Sequence, residues 1–426
     1  MRSDMSDNRK KKEEKNMTID FSYGHMQPQA PEVERAVLAE KYLSRQLIRY
    51  ASIVGRHAYD ETLDVKDAIQ EAERLLFELS MANQKKDYAK IDSLVGEATK
   101  IMQNTSGNKD GVIGISTGYD RLDDITSGWQ NSDLVIIAGR PAMGKTAFAL
   151  SMAKNIAADN HVPMAFFSLE MSGIQLTNRL MANTCEISGK KILNGQLDRG
   201  EWERFDKRIN TLLSASLYID DTPGLSVFEL RSKARRLVRE KGIKLIMIDY
   251  LQLMNANGMR FNSRQEEVSM ISRSLKGLAM ELNIPIIALS QLNRGVEGRE
   301  GAEGKRPMLS DLRESGAIEQ DADMVVFVHR PEYYHIYQGP NGEDYRGKAE
   351  IIIAKHRKGA TDITLLNFRG EYTRFENPED GSLEGINTIG GEIIGSTMIR
   401  DHQAGGYNPF DVPVRLNPSN NGFVPF

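Results

Sequence analysis

A glycine-containing loop between an apolar run and a helix-forming run constrains the fold of this chain more than any other feature. Residues 134–138 form the apolar run, and residues 147–157 have the composition of a helix. The loop between them, called the P-loop below, consists of Gly139, Arg140, Pro141, Ala142, Met143, Gly144, Lys145 and Thr146. Its glycines let the backbone wrap a phosphate chain, so that N–H groups and the helix N-terminus face negative charge. Lys145 then reaches the β- and γ-phosphates and Thr146 ligates Mg²⁺, so the pattern predicts a site for ATP and Mg²⁺.

Composition limits the class of protein around this loop. The chain has 426 residues, 40% of them hydrophobic, which is enough for one large core and a smaller satellite domain. Its single cysteine, Cys185, excludes an intramolecular disulfide and fits a reducing cytoplasm. We expect neither a signal peptide nor a membrane anchor, because no apolar run approaches the length of a membrane span. With a net charge of −4, any binding of nucleic acid must depend on a local basic surface.

The chain divides into four regions. Residues 1–30 are polar and predict a disordered lead, while residues 31–104 show helical periodicity and predict a short helical region. That region is too small to form a sizeable core alone, so we expect at least one of its apolar stripes to pack on another surface. Residues 112–375 alternate strands with helices, and residues 376–426 are rich in Gly, Asn and Pro and predict an irregular tail.

The third region predicts an α/β fold with a mainly parallel sheet covered on both faces. We expect strands at residues 134–138, 164–169, 245–248, 284–289 and 324–329, followed by a hairpin of residues 349–354 and 361–368.

Two carboxylates follow predicted strands. Asp249 ends the apolar run 245–248 and has the form of a second nucleotide motif that holds Mg²⁺. The next residue, Tyr250, cannot act as a base, so a hydrolase needs its water-activating carboxylate elsewhere. Glu170 ends the neighbouring run and is our candidate for that base, since catalytic groups gather at the carboxyl ends of parallel strands. The alternative is that Glu170 caps or begins the next helix.

A glutamine and a basic segment follow the run 284–289. Gln291 is placed to sense the γ-phosphate or the attacking water. Residues 293–313, called the basic loop below, carry Arg294, Arg299 and Lys305 among several glycines. A loop this long inside a compact domain is usually functional or disordered. It suits close approach to a phosphate backbone, and the alternative is a solvated loop.

Residues 355–359 bring four basic side chains to the hairpin. If the protein assembles as a ring, Arg357 can act as an arginine finger at a neighbour's ATP and Lys355 as a second positive contact. Otherwise these side chains form a solvated tip.

The order of these motifs resembles that of the bacterial replicative DNA helicases of the DnaB family. The resemblance runs continuously over about residues 112–375 and rests on residues 115–129, the P-loop, 168–171, 249–253, 290–294 and 309–316. It implies RecA-like domains in a hexameric ring that translocates 5′ to 3′ on single-stranded DNA, with an ATP site at each subunit interface. It also implies roles for individual residues, which are Lys145 and Thr146 in the P-loop, Glu170 as catalytic base, Asp249 as metal carboxylate, Gln291 as sensor, Lys355 and Arg357 as the pair supplied in trans, and Arg313, Glu314 and Gly316 as the segment that holds DNA phosphates.

Upstream the resemblance is interrupted. Residues 29–38 resemble the opening of the family's N-terminal helical domain and residues 41–51 resemble its closing helix, yet Ala39-Glu40 joins them directly. The body of that domain, which forms a collar and helps recruit primase, is missing. Residues 64–80 resemble the linker helix that packs on the adjacent motor, so we expect the motor and not the collar, and the family's primase and loader contacts are in question here. Two function classes remain, an ATP-driven DNA helicase and a non-unwinding ATP-binding protein, such as a collarless subunit that modulates a full-length helicase.

Overall fold

A computed structural model of the chain describes residues 31–83, 91–105, 112–256, 261–312, 316–339 and 342–378. The expected lead, residues 1–30, lies outside the described residues, as does the tail beyond residue 378. None of the described helices is long and apolar enough to cross a membrane.

Three helices precede the sheet. They are α1 (Pro31–Ala58), α2 (Val65–Asn83) and α3 (Ile91–Thr105), and α1 packs against α2. Helix α1 passes without a break through Ala39-Glu40, the join at which the collar body is missing. Leu38 and Ile48 on α1 are each 70% exposed. Such exposure in a single chain is expected of an apolar stripe that packs on the surface of another subunit or domain.

Within the described residues, one sheet holds nine strands in the order β3-β2-β4-β5-β1-β6-β7-β8-β9. The strands are β1 (Leu134–Gly139), β2 (Met164–Ser168), β3 (Leu217–Asp220), β4 (Leu245–Asp249), β5 (Ile286–Gln291), β6 (Met324–His329), β7 (Lys348–His356), β8 (Asp362–Arg369) and β9 (Arg374–Glu376). The six strands from β3 to β6 in this order are parallel, and β7, β8 and β9 add to them antiparallel. The expected mainly parallel sheet is confirmed.

Two strands were not predicted. β3 has four half-buried residues at one edge of the sheet, and β9 has three residues at the other edge. Segments this short carry too few residues for a period of two to stand out, and only pairing with β2 and β8 identifies them as strands.

Helices cover both faces of the sheet. They are α4 (Asp120–Thr126), α5 (Lys145–Lys154), α6 (Gly173–Cys185), α7 (Gly189–Asn194), α8 (Arg199–Leu213), α9 (Val227–Lys241), α10 (Arg264–Leu282), α11 (Gly301–Lys305) and α12 (Gly316–Asp321). In β1, Ile136 packs in one core with Leu275 of α10, while Ile137 packs in the other core with Phe148 of α5. Because successive side chains of a strand point to opposite faces and both faces are covered, β1 is buried throughout and reads as a continuous apolar run.

The sheet order determines which loops meet. β1 lies between β5 and β6, and β4 lies between β2 and β5. The segments that follow β1, β2, β4, β5 and β6 therefore emerge at one edge, called the carboxyl edge below, where ligands bind in open α/β sheets.

Candidate nucleotide-binding site

The P-loop turns sharply between β1 and α5. Ala142 and Gly144 have left-handed backbone conformations, with φ of 65° and 92°. A Cβ on Gly139 would lie 2.8 Å from the carbonyl oxygen of Val328, so the close approach of β6 excludes a side chain there. Gly144 is the N-cap of α5, and the loop thus directs a helix N-terminus into the turn.

Lys145 closes this loop through two hydrogen bonds to its backbone. Its Nζ donates to the carbonyl oxygen of Gly139 at 2.8 Å and to that of Arg140 at 3.3 Å. Burial lowers the pKa of Lys145, and the carboxylates of Asp249 and Glu170 act in the opposite direction. The ammonium group is therefore held beside the loop carbonyls, where a phosphate chain can compete for it.

Thr146 and Asp249 form an oxygen pair beside Lys145. The Thr146 hydroxyl donates to Asp249 Oδ2 at 2.8 Å, and Asp249 is only 2% exposed. Burial raises the pKa of Asp249 to about 6, and the charge of Glu170 adds to this effect. A hydroxyl and a carboxylate suit Mg²⁺, which takes its remaining ligands from nucleotide phosphates and water. Among the described residues, no group of three or more His, Cys, Asp or Glu side chains is arranged to hold a metal ion.

Glu170 lies beside this pair without capping a helix. Ser168, the last residue of β2, is paired in register with Asp249, and the exposed Glu170 follows two residues later. The N-cap of α6 is Ser172, which forms a capping box with Gln175. The alternative role of Glu170 as a cap or first-turn acid is therefore wrong, and its carboxylate is available to act on water.

Gln291 meets the P-loop from the other side. It ends β5 and is paired in register with Gly139, the first residue of the loop. Its backbone N–H donates to Gln252 Oε1 at 3.3 Å, and Gln252 in turn donates to the Ser290 hydroxyl at 2.8 Å. The carboxyl edge thus brings Lys145, Thr146, Glu170, Asp249 and Gln291 together, as the sequence predicted.

Two further arginines lie at this edge and were not predicted. Arg179 of α6 contributes a positive charge that lowers the pKa of Asp249 against the larger effect of burial. Arg330 directly follows β6, and its guanidinium carbon lies 4.1 Å from the centre of the Phe368 ring. The sequence contained a signal for Arg330, because this residue directly follows an apolar strand, as Asp249 nearly does by ending one. It contained no signal for Arg179, because only the packing of α6 brings this side chain near Asp249.

Lys355 and Arg357 lie at the opposite, amino edge of the sheet. Lys355 Nζ donates to the carbonyl oxygen of Ala322 at 2.8 Å, and Arg357 donates to Asp323 Oδ1 at 3.1 Å. Asp323 also accepts from the N–H of Leu134, the first residue of β1. Because β1 has six residues, this edge lies about 20 Å from the P-loop of the same chain. Lys355 and Arg357 therefore do not belong to their own chain's site.

The basic loop is folded and much of its charge is paired. It contains α11 and is closed by the Asn293 N–H, which donates to the Asp311 carbonyl at 2.8 Å. Arg299 pairs with Asp311 and Arg306 with Glu350. These two arginines thus have carboxylate partners within the chain, and close approach of the loop to a phosphate backbone stays a prediction. Of the predicted DNA segment, Arg313 and Glu314 lie outside the described residues, and Gly316 is exposed at the start of α12.

Comparison with known proteins agrees with this geometry. Residues 114–377 match the family described as the DnaB-like helicase C terminal domain. The chain is 41% identical over 343 residues to the replicative DNA helicase DnaC of Bacillus subtilis (strain 168), covering 80% of this chain and 74% of that protein. It is 42% identical over 355 residues to the replicative DNA helicase DnaB of Geobacillus stearothermophilus, covering 83% and 76%.

Two solved structures have the same fold. One, described as an ATPase domain, matches with a TM-score of 0.63 and 38% identity over 69% of this chain and all of that domain. A DnaB-like replicative helicase, described with its interactions with primase, matches with a TM-score of 0.61 and 35% identity over 83% of this chain and 81% of that one.

Proposed function

The chain belongs to the family of DnaB-like replicative helicases, and on that premise we propose that it hydrolyses ATP to translocate 5′ to 3′ on single-stranded DNA and to unwind duplex DNA at the replication fork. The observation that carries the proposal is the convergence of a P-loop lysine, a hydroxyl–carboxylate pair, an exposed glutamate and a glutamine at one sheet edge. A replication role places the protein in the cytoplasm.

Each residue of this edge has a role in ATP hydrolysis. Lys145 opposes the charge of the β- and γ-phosphates, and Glu170 accepts the proton of the attacking water. Thr146 and Asp249 would hold Mg²⁺, and the ion would neutralise negative charge on the phosphates. Gln291, next to Gly139, contacts the γ-phosphate or the water and reports its presence to the segment that follows β5.

The remote position of Lys355 and Arg357 supports an oligomer. They lie at the edge opposite their own P-loop, so they can contribute to hydrolysis only at the site of another subunit. A closed ring, hexameric as the family implies, supplies one such pair to every site. In each interface Arg357 places positive charge on the γ-phosphate as charge develops in the transition state.

Single-stranded DNA is the proposed track. The segment of Arg313, Glu314 and Gly316 matches the family's phosphate-holding segment, and it begins at Arg313, the last residue of the basic loop. Contacts to phosphates rather than base edges make such binding independent of sequence.

The continuous helix α1 favours a second candidate function. Because α1 runs through Ala39-Glu40 without a collar domain, the chain lacks the part of the family that helps recruit primase. We propose that primase and loader contacts made through the collar are absent, and that the protein can also act as a collarless subunit that modulates an intact helicase.

Hydrolysis and unwinding by the purified chain test the main proposal. We expect ATPase activity stimulated by single-stranded DNA, and unwinding of a forked duplex with a free 5′ tail. Lys145→Ala should lose both activities, because the charge that opposes the phosphates is removed. ATPase activity without unwinding, together with mixed rings formed with an intact helicase, would favour the second candidate.

A further inference from the structure

Arg140 joins the P-loop to the basic loop through an ion pair with Glu297, in which the arginine side chain is buried and the glutamate side chain is 52% exposed. Its Nε donates to Glu297 Oε1 at 3.1 Å, its Nη2 contacts the same oxygen, and its Nη1 donates to the Leu292 carbonyl at 3.0 Å. Arg140 is 6% exposed. The hydrolysis mechanism described above does not use this side chain, although it belongs to the phosphate-binding loop.

The backbone of the same residue supports the phosphate-binding groups. The Arg140 carbonyl oxygen accepts from Lys145 Nζ at 3.3 Å and from the Met143 N–H at 3.3 Å. Arg140 is therefore bonded on one side to the basic loop and on the other to the lysine and the turn of the P-loop. A change in the position of Glu297 therefore acts, through Arg140, on Lys145 and on the turn of the P-loop.

Charge adds to the link. Glu297 neutralises Arg140, and a buried cation whose partner is removed is costly. Loss of the Glu297 charge thus leaves the Arg140 guanidinium without a carboxylate partner, held only by its hydrogen bond to the Leu292 carbonyl.

Glu297 is in turn connected to the last residues of the basic loop. Lys305 Nζ donates to the Glu297 carbonyl at 2.7 Å, which ties Glu297 to α11. Arg299, two residues further along, pairs with Asp311, and Asp311 also closes the loop through the Asn293 N–H. Residue 312 then leads directly into the proposed DNA segment.

We propose that Glu297 is a positioning residue for ATP hydrolysis, which transmits the binding of single-stranded DNA at the end of the basic loop to Lys145 through Arg140. The inference rests on the proposed function, because it assigns a route of regulation to the same ATP site. Two sites joined by a packed, hydrogen-bonded element are coupled when that element differs between their bound states.

Glu297→Gln tests the link, with Glu300→Gln as a matched control. Both variants remove one negative charge from an exposed glutamate of the same loop, and Glu297 is the one that contacts Arg140. The measurement is the ratio of ATP turnover with saturating oligo(dT) to turnover without DNA. We expect this ratio to fall about tenfold in Glu297→Gln and to remain at the parent value in Glu300→Gln. Arg140→Gln should lower the ratio equally, and the double variant should lower it no further, since both changes break one link.

Two results are informative in opposite ways. If Glu297→Gln keeps the parent ratio while turnover with and without DNA falls in parallel, Glu297 merely supports the P-loop and the inference is overturned, with the helicase proposal intact. If the parent protein itself shows no stimulation by DNA, the proposed function fails and the inference fails with it. Thermal melting of each variant, compared with the parent, establishes that the changes act on the folded protein.

Discussion

Thr146 donates its hydroxyl hydrogen bond to Asp249 Oδ2 over 2.8 Å, across 103 positions of sequence. Thr146 lies in the first turn of α5, which follows β1, and Asp249 ends β4, while β5 lies between these two strands in the sheet. The bond therefore reaches over the end of β5, where Gln291 is located. This contact makes one crevice from the carboxyl ends of β1, β4 and β5.

Glu170→Gln should leave nucleotide binding intact and lower ATP turnover by about 10²- to 10⁴-fold, because an amide cannot accept the proton of the attacking water. Binding of a fluorescent ATP analogue and steady-state phosphate release measure the two effects separately. Glu203→Gln, on the exposed face of α8, serves as the control and should match the parent. Parent-level turnover in Glu170→Gln would remove this residue from the catalytic role.

Arg357→Ala should bind ATP as the parent does and hydrolyse it about 10³-fold more slowly, since the lost charge acts on the transition state. Arg346→Ala, which removes an arginine that is 70% exposed just before β7, is the matched control. Mixing Arg357→Ala with Lys145→Ala subunits should restore part of the activity, because some interfaces then combine an intact finger with an intact P-loop. Parent-level hydrolysis by Arg357→Ala alone, at saturating DNA, would show that the finger assignment is wrong.

Binding of single-stranded DNA should weaken steeply as salt rises and should be indifferent to base sequence. With a net charge of −4, the chain has no excess of positive charge, so binding depends on a local set of phosphate contacts. Fluorescence anisotropy with oligonucleotides of equal length and different sequence, each at several salt concentrations, measures both properties. A strong preference for one sequence would contradict phosphate recognition.

His329 should make the stability of the chain depend on pH. It is 3% exposed, its ring stacks on Tyr334 with the centroids 5.7 Å apart, and burial lowers its pKa to about 4 from 6.5. A histidine with a depressed folded-state pKa stabilises the fold above pH 6.5, and this contribution is lost as the pH falls from 6.5 towards 4.

Urea unfolding at pH 7 and pH 4 measures this effect against His329→Gln. Over that range the free energy of unfolding of the parent should fall by on the order of 3 kcal/mol more than that of the variant. His161→Asn, at an exposed position with a left-handed backbone that asparagine tolerates, should behave as the parent. An equal loss in the parent and in His329→Gln would show that other groups cause the pH dependence.

Much of the nucleotide site was predictable because its signals are local. The P-loop identifies itself by a strand, a glycine turn and a helix that are contiguous in sequence, and Asp249 and Gln291 each end an apolar run. Burial on both faces makes such runs continuous, and the carboxyl ends of parallel strands share an edge. Glu170 was found by the same reasoning, although only the capping box of Ser172 excludes a capping role for it.

The sequence by itself thus determined the alternation of strands and helices and identified the candidate residues of the proposed nucleotide site. The tertiary structure decided which strands are neighbours, and this placed Arg357 at the edge opposite its own P-loop and brought Arg179 near Asp249. It also paired Arg299 with Asp311 and joined Arg140 to Glu297, although these cations look free in the sequence. The physical reason is that periodicity records how deeply a residue is buried, whereas its partner is set by the packing of segments far apart in the chain.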